Sequence, residues 1–214
     1  MVRLTRSEWA ILIGLATLSL VPCIGGVLRL VELTFALEIM PENPRVRTAP
    51  LPVVIHLIAS IPYCLLGILQ FLPNVRRRYP RWHQLSGRML VLAGLVAAIS
   101  GLWMTHFFEL PEKLQGPLLY WVRVSVSLGM LVSLILGMLA ILRKRVPSHK
   151  AWMLRAYALG QGAGTQVVVV IPWHLIIGEP SALTRDLLMT FAWIVNLYVA
   201  QIAIWGSWRQ GENS

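Results

Sequence analysis

Six long apolar runs divide the chain. The first extends from Trp9 to Leu28 without a charge. The second lies within Thr48 to Val75, free of Lys, Arg, Asp and Glu. The third is Met89 to Phe108. The fourth is Leu118 to Leu142, interrupted only by Arg123. The fifth is Ala156 to Gly178 and the sixth Leu187 to Trp208. These runs are apolar on all sides, whereas barrel strands alternate apolar and polar residues over about ten positions. A helix rises about 1.5 Å per residue, so about 20 apolar residues cross a hydrocarbon layer about 30 Å thick. The pattern predicts helices over about 9–30, 51–73, 86–108, 118–142, 153–176 and 186–208. It describes an all-α integral membrane protein with six transmembrane helices in a single domain, residues 1–214.

Composition agrees with lipid as the outer solvent, since 57% of the 214 residues are hydrophobic and 13% charged. Arg3 and Arg6 precede the first run as they would precede a secretory signal. That run exceeds the 7–15 residues of a signal core and no small-x-small cleavage site follows, so a retained helix is expected. The longest link, from Thr34 to Pro50, is rich in Pro and reads as an irregular extracytoplasmic connection. Cys23 and Cys64 fall inside apolar helices, where packing is expected rather than a disulfide.

Charge sets the expected orientation. With both termini in the cytoplasm, 13 of the 19 basic residues fall on the inner side and seven of the nine acids on the outer. Lys and Arg in short loops are retained on the cytoplasmic side. The net charge of +10 is therefore mostly topology. No recognition motif accompanies it, and nucleic acid is not expected as a partner. Trp9, Trp82, Trp152, Trp205 and Trp208 fall near the inner interface, with Trp103, Tyr120, Trp121 and Trp173 near the outer one, as amphipathic rings prefer. The expected location is the cell inner (plasma) membrane, with the bilayer as the principal partner.

A short repeat overlays this plan. Arg78-Tyr79-Pro80 leads through His83 to Arg88, and Arg145-Val146-Pro147 leads through His149 to Arg155. The Pro-to-Arg spacing is the same in both copies, while the His shifts by one. Each copy joins a helix entering the cytoplasm to one leaving it. The second and third helices thus match the fourth and fifth, which predicts a four-helix core (helices 2–5) with quasi-twofold symmetry about the membrane normal. The first and sixth helices lie outside it.

Candidate chemistry sorts by depth. His83, His149, Arg88, Arg155 and Gln70 gather at the inner side. Arg88 and Arg155 are expected in the first turns of their helices, where the macrodipole disfavours cations, so an anion is expected beside them. A lipid phosphate, a haem propionate or a carboxylate would suit a guanidinium fork. Topology signals and helix caps are the plainer reading of both Arg residues, and an imidazole bonded to a loop carbonyl that of both His. His56, His106 and His174 lie at the outer side, where three His could hold Zn or Cu. They come from three helices, with no His-x-x-x-His pair to place them on one face. Arg123 sits about one turn inside its helix, where a charge pairs, faces a cavity or snorkels. Gln161, Thr165, Gln166, Asn196 and Gln201 are expected to bond between helices. No strand precedes the Gly160-x-Gly162-x-Gly164 run, so it is not a nucleotide fingerprint.

The pattern of His56, Gln70, a basic loop with His83, then Gly87-Arg88, and later His149-x-x-Trp152-Met153-x-Arg155 resembles the bacterial predicted-membrane-protein family called domain of unknown function 2306. The resemblance covers roughly residues 50–170. It implies fold and membrane location, not chemistry. The chain departs from the family pattern at Gln84, where Arg is usual, and late in the fifth helix, where Gln161, Thr165 and Gln166 stand in place of an Arg. The spacing of His83 and His149 is also similar to that of ascorbate-dependent transmembrane cytochromes b, whose corresponding pair ligates one haem. His56 matches a member of their second pair, which has no counterpart here on the fourth helix.

Two functions follow as expectations. One is a redox membrane protein holding b-type haem or quinone at the inner cluster. The other is a non-redox transporter or lipid-binding protein that holds an anionic headgroup or solute there. Topology is directly testable: reporter fusions after Arg76, after Arg143 and at Ser214 should read cytoplasmic, and those in the Glu42, Glu112 and Glu179 loops external. A cytoplasmic Glu112 loop overturns the six-helix plan.

Overall fold

Proline sets where most helices begin. A computed structural model describes residues 3–37, 39–40, 46, 49–108, 110 and 115–212, with side chains as far as 206. The expected outer charges Glu38, Glu42, Arg45, Arg47, Glu109, Glu112 and Lys113 lie outside the described residues, as do the side chains of Trp208, Arg209 and Glu212. The helices are α1 (Arg6–Phe35), α2 (Pro50–Gln70), α3 (Pro73–Arg78), α4 (Pro80–Phe107), α5 (Pro117–Leu142), α6 (Val146–Gly160), α7 (Gly162–Ile176) and α8 (Ala182–Glu212). No strand occurs among the described residues. Helices α2 to α6 each carry Pro in the first or second position. There the missing N–H is not needed and φ is already helical. Thr5 and Glu8 open α1 with a capping box.

Five helices, α1, α2, α4, α5 and α8, are long and apolar enough to cross a bilayer. Their boundaries differ from the expected ones in a consistent way. The helix expected from residue 86 begins at Pro80, and the one expected from 153 begins at Val146. Hydropathy marks the buried span, whereas proline marks the first turn, which is polar. The fifth expected helix is also divided at Gln161, between α6 and α7. Glycine is the cause. A Cβ at Gly162 would collide with the Trp193 indole, and one at Gly164 with the Leu18 carbonyl. Glycine lets α8 and α1 press against the chain at this point, and it favours the helix poorly.

The core lies among α2, α4, α5 and α6. Tyr63 and Ile68, Leu90 and Ala98, Met130 and Leu134, and Ala156, Tyr157 and Leu159 form one buried cluster. The largest interfaces join α2 to α4 and α5 to α6. Ring-against-glycine contacts bring the pairs together. A Cβ at Gly94 or Gly160 would stand 2.7 Å from the Tyr63 ring, and one at Gly67 2.6 Å from the Tyr157 ring. Small residues of this kind permit close helix approach in lipid. Around this core α1 packs on α2 and α7, and α8 packs on α6, α7 and α5. Only the first half of the divided helix therefore joins the core extensively. The exterior is apolar: Ile13, Leu92, Trp121, Leu175 and Ile194 are all more than half exposed.

Hydrogen bonds between helices fasten the break. Trp193 Nε1 donates to the Leu159 carbonyl at 3.1 Å and Asn196 Nδ2 to the Ala158 carbonyl at 3.1 Å. Thr165 donates to Asn196 Oδ1 at 2.7 Å. The buried Gln161 amide donates to Ser19 Oγ at 2.9 Å and to the Tyr157 hydroxyl at 2.6 Å. That hydroxyl donates to the Cys64 carbonyl at 2.6 Å. Two buried carboxylates act at the ends of the bundle. Glu8 accepts from the Asn74 backbone at 2.6 Å, and Asp186 from Leu119 at 3.0 Å and Gly116 at 3.3 Å. Each ties a flanking helix to the start of another, where orphan N–H groups and the helix dipole favour an anion.

Packing at the break predicts an unequal pair of substitutions. Gly162→Val drives a side chain into Trp193 and should destabilise by about 1–3 kcal/mol, the usual range for overpacking. Gly14→Val faces open space and should leave the melting temperature in detergent nearly unchanged. Equal effects of the two would remove the packing account of the break.

Candidate functional site

The two loop histidines occupy equivalent places in their helices. The His83 N–H donates to the Tyr79 carbonyl at 3.0 Å, and the His149 N–H to the Arg145 carbonyl at 3.0 Å. Tyr79 and Arg145 are the N-caps of α4 and α6, so each His closes the first hydrogen-bonded turn. This explains the one-residue shift in the repeat. Pro80 is the first residue of α4, whereas Pro147 is the second of α6. Counting from the cap matches the two His, while Arg88 and Arg155 then fall one residue out of step.

The ring environments differ. His149 Nδ1 lies 2.9 Å from the Gly137 carbonyl near the end of α5. His83 is partly buried, and its Nδ1 is fully enclosed with no hydrogen-bond partner among the described residues. A buried polar atom left without a partner costs about 1–3 kcal/mol. Arg76 and His149 lie within electrostatic reach of His83. At the end of α2, Gln70 Nε2 donates to Ser86 Oγ at 2.8 Å, and Ser86 in turn to the Trp82 carbonyl at 2.6 Å. Gln70 Oε1 faces Gly87, where a Cβ would stand 3.2 Å away. Gln70 thus braces the turn that carries His83.

Neither Arg lies in a first turn, contrary to expectation. Arg88 is the ninth residue of α4 and Arg155 the tenth of α6. The dipole acts chiefly within the first turn, so the electrostatic argument for an anion at these positions does not hold. Arg155 donates to Gln201 Oε1 at 2.9 Å and its guanidinium lies 4.9 Å from the Trp152 ring centroid. It ties α6 to α8. Arg88 is exposed, with no carboxylate partner among the described residues.

The outer candidates stand on separate partners. His56 Nδ1 lies 3.0 Å from the Ala97 carbonyl and 3.1 Å from Ser100 Oγ, joining α2 to α4. His106 Nδ1 lies 2.9 Å from the Tyr120 hydroxyl, joining α4 to α5. His174 is exposed near the end of α7. No group of three or more His, Cys, Asp or Glu suited to a metal ion occurs among the described residues. Arg123 donates to Gln115 Oε1 at 2.5 Å. The sequence reading missed Asp186 and Glu8 as buried interhelical anchors, and Gly137 as the partner of His149. An acid inside the first two turns of an apolar helix was the available signal for the first two. Nothing local marks Gly137.

Long apolar helices, a lipid-facing exterior and interior polar groups largely paired across helices define a multi-pass helical membrane protein. The chain belongs to the predicted membrane protein family DUF2306, whose family model matches residues 53–204. The match runs from the first turn of α2 into α8, beyond the stretch that carries the sequence motifs. No curated protein and no solved structure matches the chain.

Proximity of the two histidines is open to a direct test. In a variant lacking Cys23 and Cys64, Cys placed at positions 83 and 149 should crosslink with a short bifunctional reagent. Helix axes pack about 8–10 Å apart, so failure with reagents spanning about 15 Å would separate the two positions.

Proposed function

We propose that this protein holds a redox cofactor, b-type haem or quinone, at the face carrying His83 and His149. The observation behind this reading is the placement of two imidazoles in equivalent first turns, within electrostatic reach of one another, with His83 Nδ1 meeting no hydrogen-bond partner among the described residues. Gln70 positions the first histidine. Arg88 stands open to an anionic group such as a propionate. Arg155 supports the site through α8.

The same proposal takes α6 and α7 as one crossing, which makes six, with the basic face and both termini in the cytoplasm of a cell whose inner membrane holds the chain. Supporting contacts converge on the basic face. Asn74 Nδ2 donates to the Arg3 carbonyl at 2.9 Å, and Gln201 of α8 meets Arg155. The repeat draws support from burial. Pro80 and Pro147, like Arg88 and Arg155, lie 67 positions apart. At that same offset Tyr63 and Met130, Gly67 and Leu134, Leu90 and Tyr157, and Ala98 and Thr165 are buried in both members.

A second reading, an anionic headgroup or solute at the basic face, draws on the exposed Arg88 and on Arg76, Arg77, Arg78 and Arg81 beside it. Purified protein separates the two. Soret and α bands in a reduced-minus-oxidised spectrum, or a co-purifying quinone, support the redox reading and should fall at least tenfold in His83→Ala. Anionic phospholipid as the only co-purifying molecule, lost in Arg88→Gln, supports the other.

A further inference from the structure

Helix α4 turns two opposite sides to its surroundings. At about 100° per residue, His83, Gly87, Leu90 and Gly94 share one side. Gly87 abuts Gln70, Gly94 abuts Tyr63, and Leu90 lies in the buried cluster. Arg81, Leu85, Arg88, Leu92 and Ile99 fall on the opposite side, within about 60° of one another, and all five are exposed. Leu85 and Leu92 are each 64% exposed and Ile99 56%. Lipid covers such side chains, because α4 is long and apolar enough to cross the bilayer. Arg88 stands among them in the third turn, with an exposed leucine one turn away in each direction.

A guanidinium on a lipid-facing surface has to reach a polar group. Side chains of a helix lean toward its N-terminus, which for α4 is the basic end of the bundle. Arg88 therefore leans toward Arg81, seven residues or about 10 Å away along the axis, and toward the exposed Gln84 between them. An arginine stem lies along apolar surface while its head moves toward water. No carboxylate meets either Arg among the described residues. The acid described at this end of the bundle is Glu8, which is buried and engaged by Thr5 and Asn74. A second copy of the chain would bring the same shortage. The bilayer supplies the missing anion as phosphate at headgroup depth, together with acyl chains that cover the apolar residues deeper on the same side.

We propose that Arg81, Gln84 and Arg88 hold the phosphate of an anionic phospholipid on the lipid-facing side of α4, with its acyl chains along Leu85, Leu92 and Ile99. Two guanidinium forks suit a phosphate, and two cations side by side disfavour a headgroup that carries an ammonium of its own. The proposal rests on the second reading above and narrows it from a headgroup or solute to a lipid. The anion at Arg88 then lies on the side of α4 away from His83, so the redox reading keeps its histidines without that contact.

Delipidated full-length protein in neutral detergent tests the site. It is titrated with phosphatidylglycerol, with phosphatidylethanolamine of the same acyl chains, and with inorganic phosphate, and bound lipid is counted by native mass spectrometry. Phosphatidylglycerol should bind at least tenfold more tightly than phosphatidylethanolamine, and excess inorganic phosphate should not displace it. Arg88→Gln should weaken it about tenfold, the effect of losing one charge-assisted hydrogen bond, and Arg81→Gln should act in the same direction. Lys150→Gln removes an equal charge at an exposed position of α6 and should bind as the native protein does. Should Arg88→Gln fail to fold, Arg81→Gln carries the same comparison. Equal weakening by Lys150→Gln leaves only diffuse attraction and overturns the site, as does equal binding of the two lipids. Displacement by inorganic phosphate overturns the lipid and leaves the solute half of the second reading standing. A lipid-free dimer abolished by Arg88→Gln assigns this side of α4 to a second copy and also overturns the proposal. Failure of all three probes to bind removes the second reading as well.

Discussion

Hydrocarbon offers a peptide group nothing to bond with, and the arrangement of this protein follows from that constraint. Within an unbroken helix interior N–H and carbonyl groups pair with one another, except where a proline such as Pro22, Pro62 or Pro172 removes a donor. The break at Gln161 is a further exception, and three other helices converge on it. Trp193 and Asn196 from α8, Ser19 from α1, and Tyr63 with Cys64 from α2 all meet the chain within a few residues of that point. The break costs local helix pairing, and the interhelical bonds offset it. The flanking helices thereby acquire a fixed position against a core that would otherwise present only apolar surface to them. Apolar surface alone does not specify packing in lipid, because the tails are as apolar as the side chains.

The ends of the bundle follow the same logic with charge added. Glu8 and Asp186 are buried carboxylates, and each meets backbone N–H groups at the start of a neighbouring helix. The two anchors lie at opposite ends of the bundle, one on α1 and one on α8. They hold the flanking helices in register with α3 and α5, as the Gln161 network holds them at mid-depth. Arg155 with Gln201 adds a third tie near the basic face. Much of the interior polarity is therefore engaged in connecting helices. Against that background His83 stands apart, its ring Nδ1 enclosed without a hydrogen-bond partner among the described residues.

Much of this was legible in the residue order. Length and apolarity of the runs identified a multi-pass helical membrane protein, because crossing a slab of fixed thickness requires a fixed length of helix. The motif of His149, Trp152, Met153 and Arg155 pointed to the family. Proline positions were present as well, and they set the helix starts more accurately than hydropathy did. That difference moved Arg88 and Arg155 two turns inward and removed the dipole argument made for them. It also placed His83 and His149 in equivalent turns, which a count from proline alone had left one residue out of step.

What the order of residues determined is what depends on one segment at a time: solvent, helix length, and the turn at which a proline starts a helix. Tertiary structure decided which groups meet. Gly137 and His149 are twelve positions apart across a turn, Asp186 and Leu119 are 67 apart, and Ser19 and Gln161 are 142 apart. None of these pairs has a local signature. Each depends on how glycines let two backbones approach and on which buried group would be unpaired if they did not, and both are settled only when all the helices are packed together.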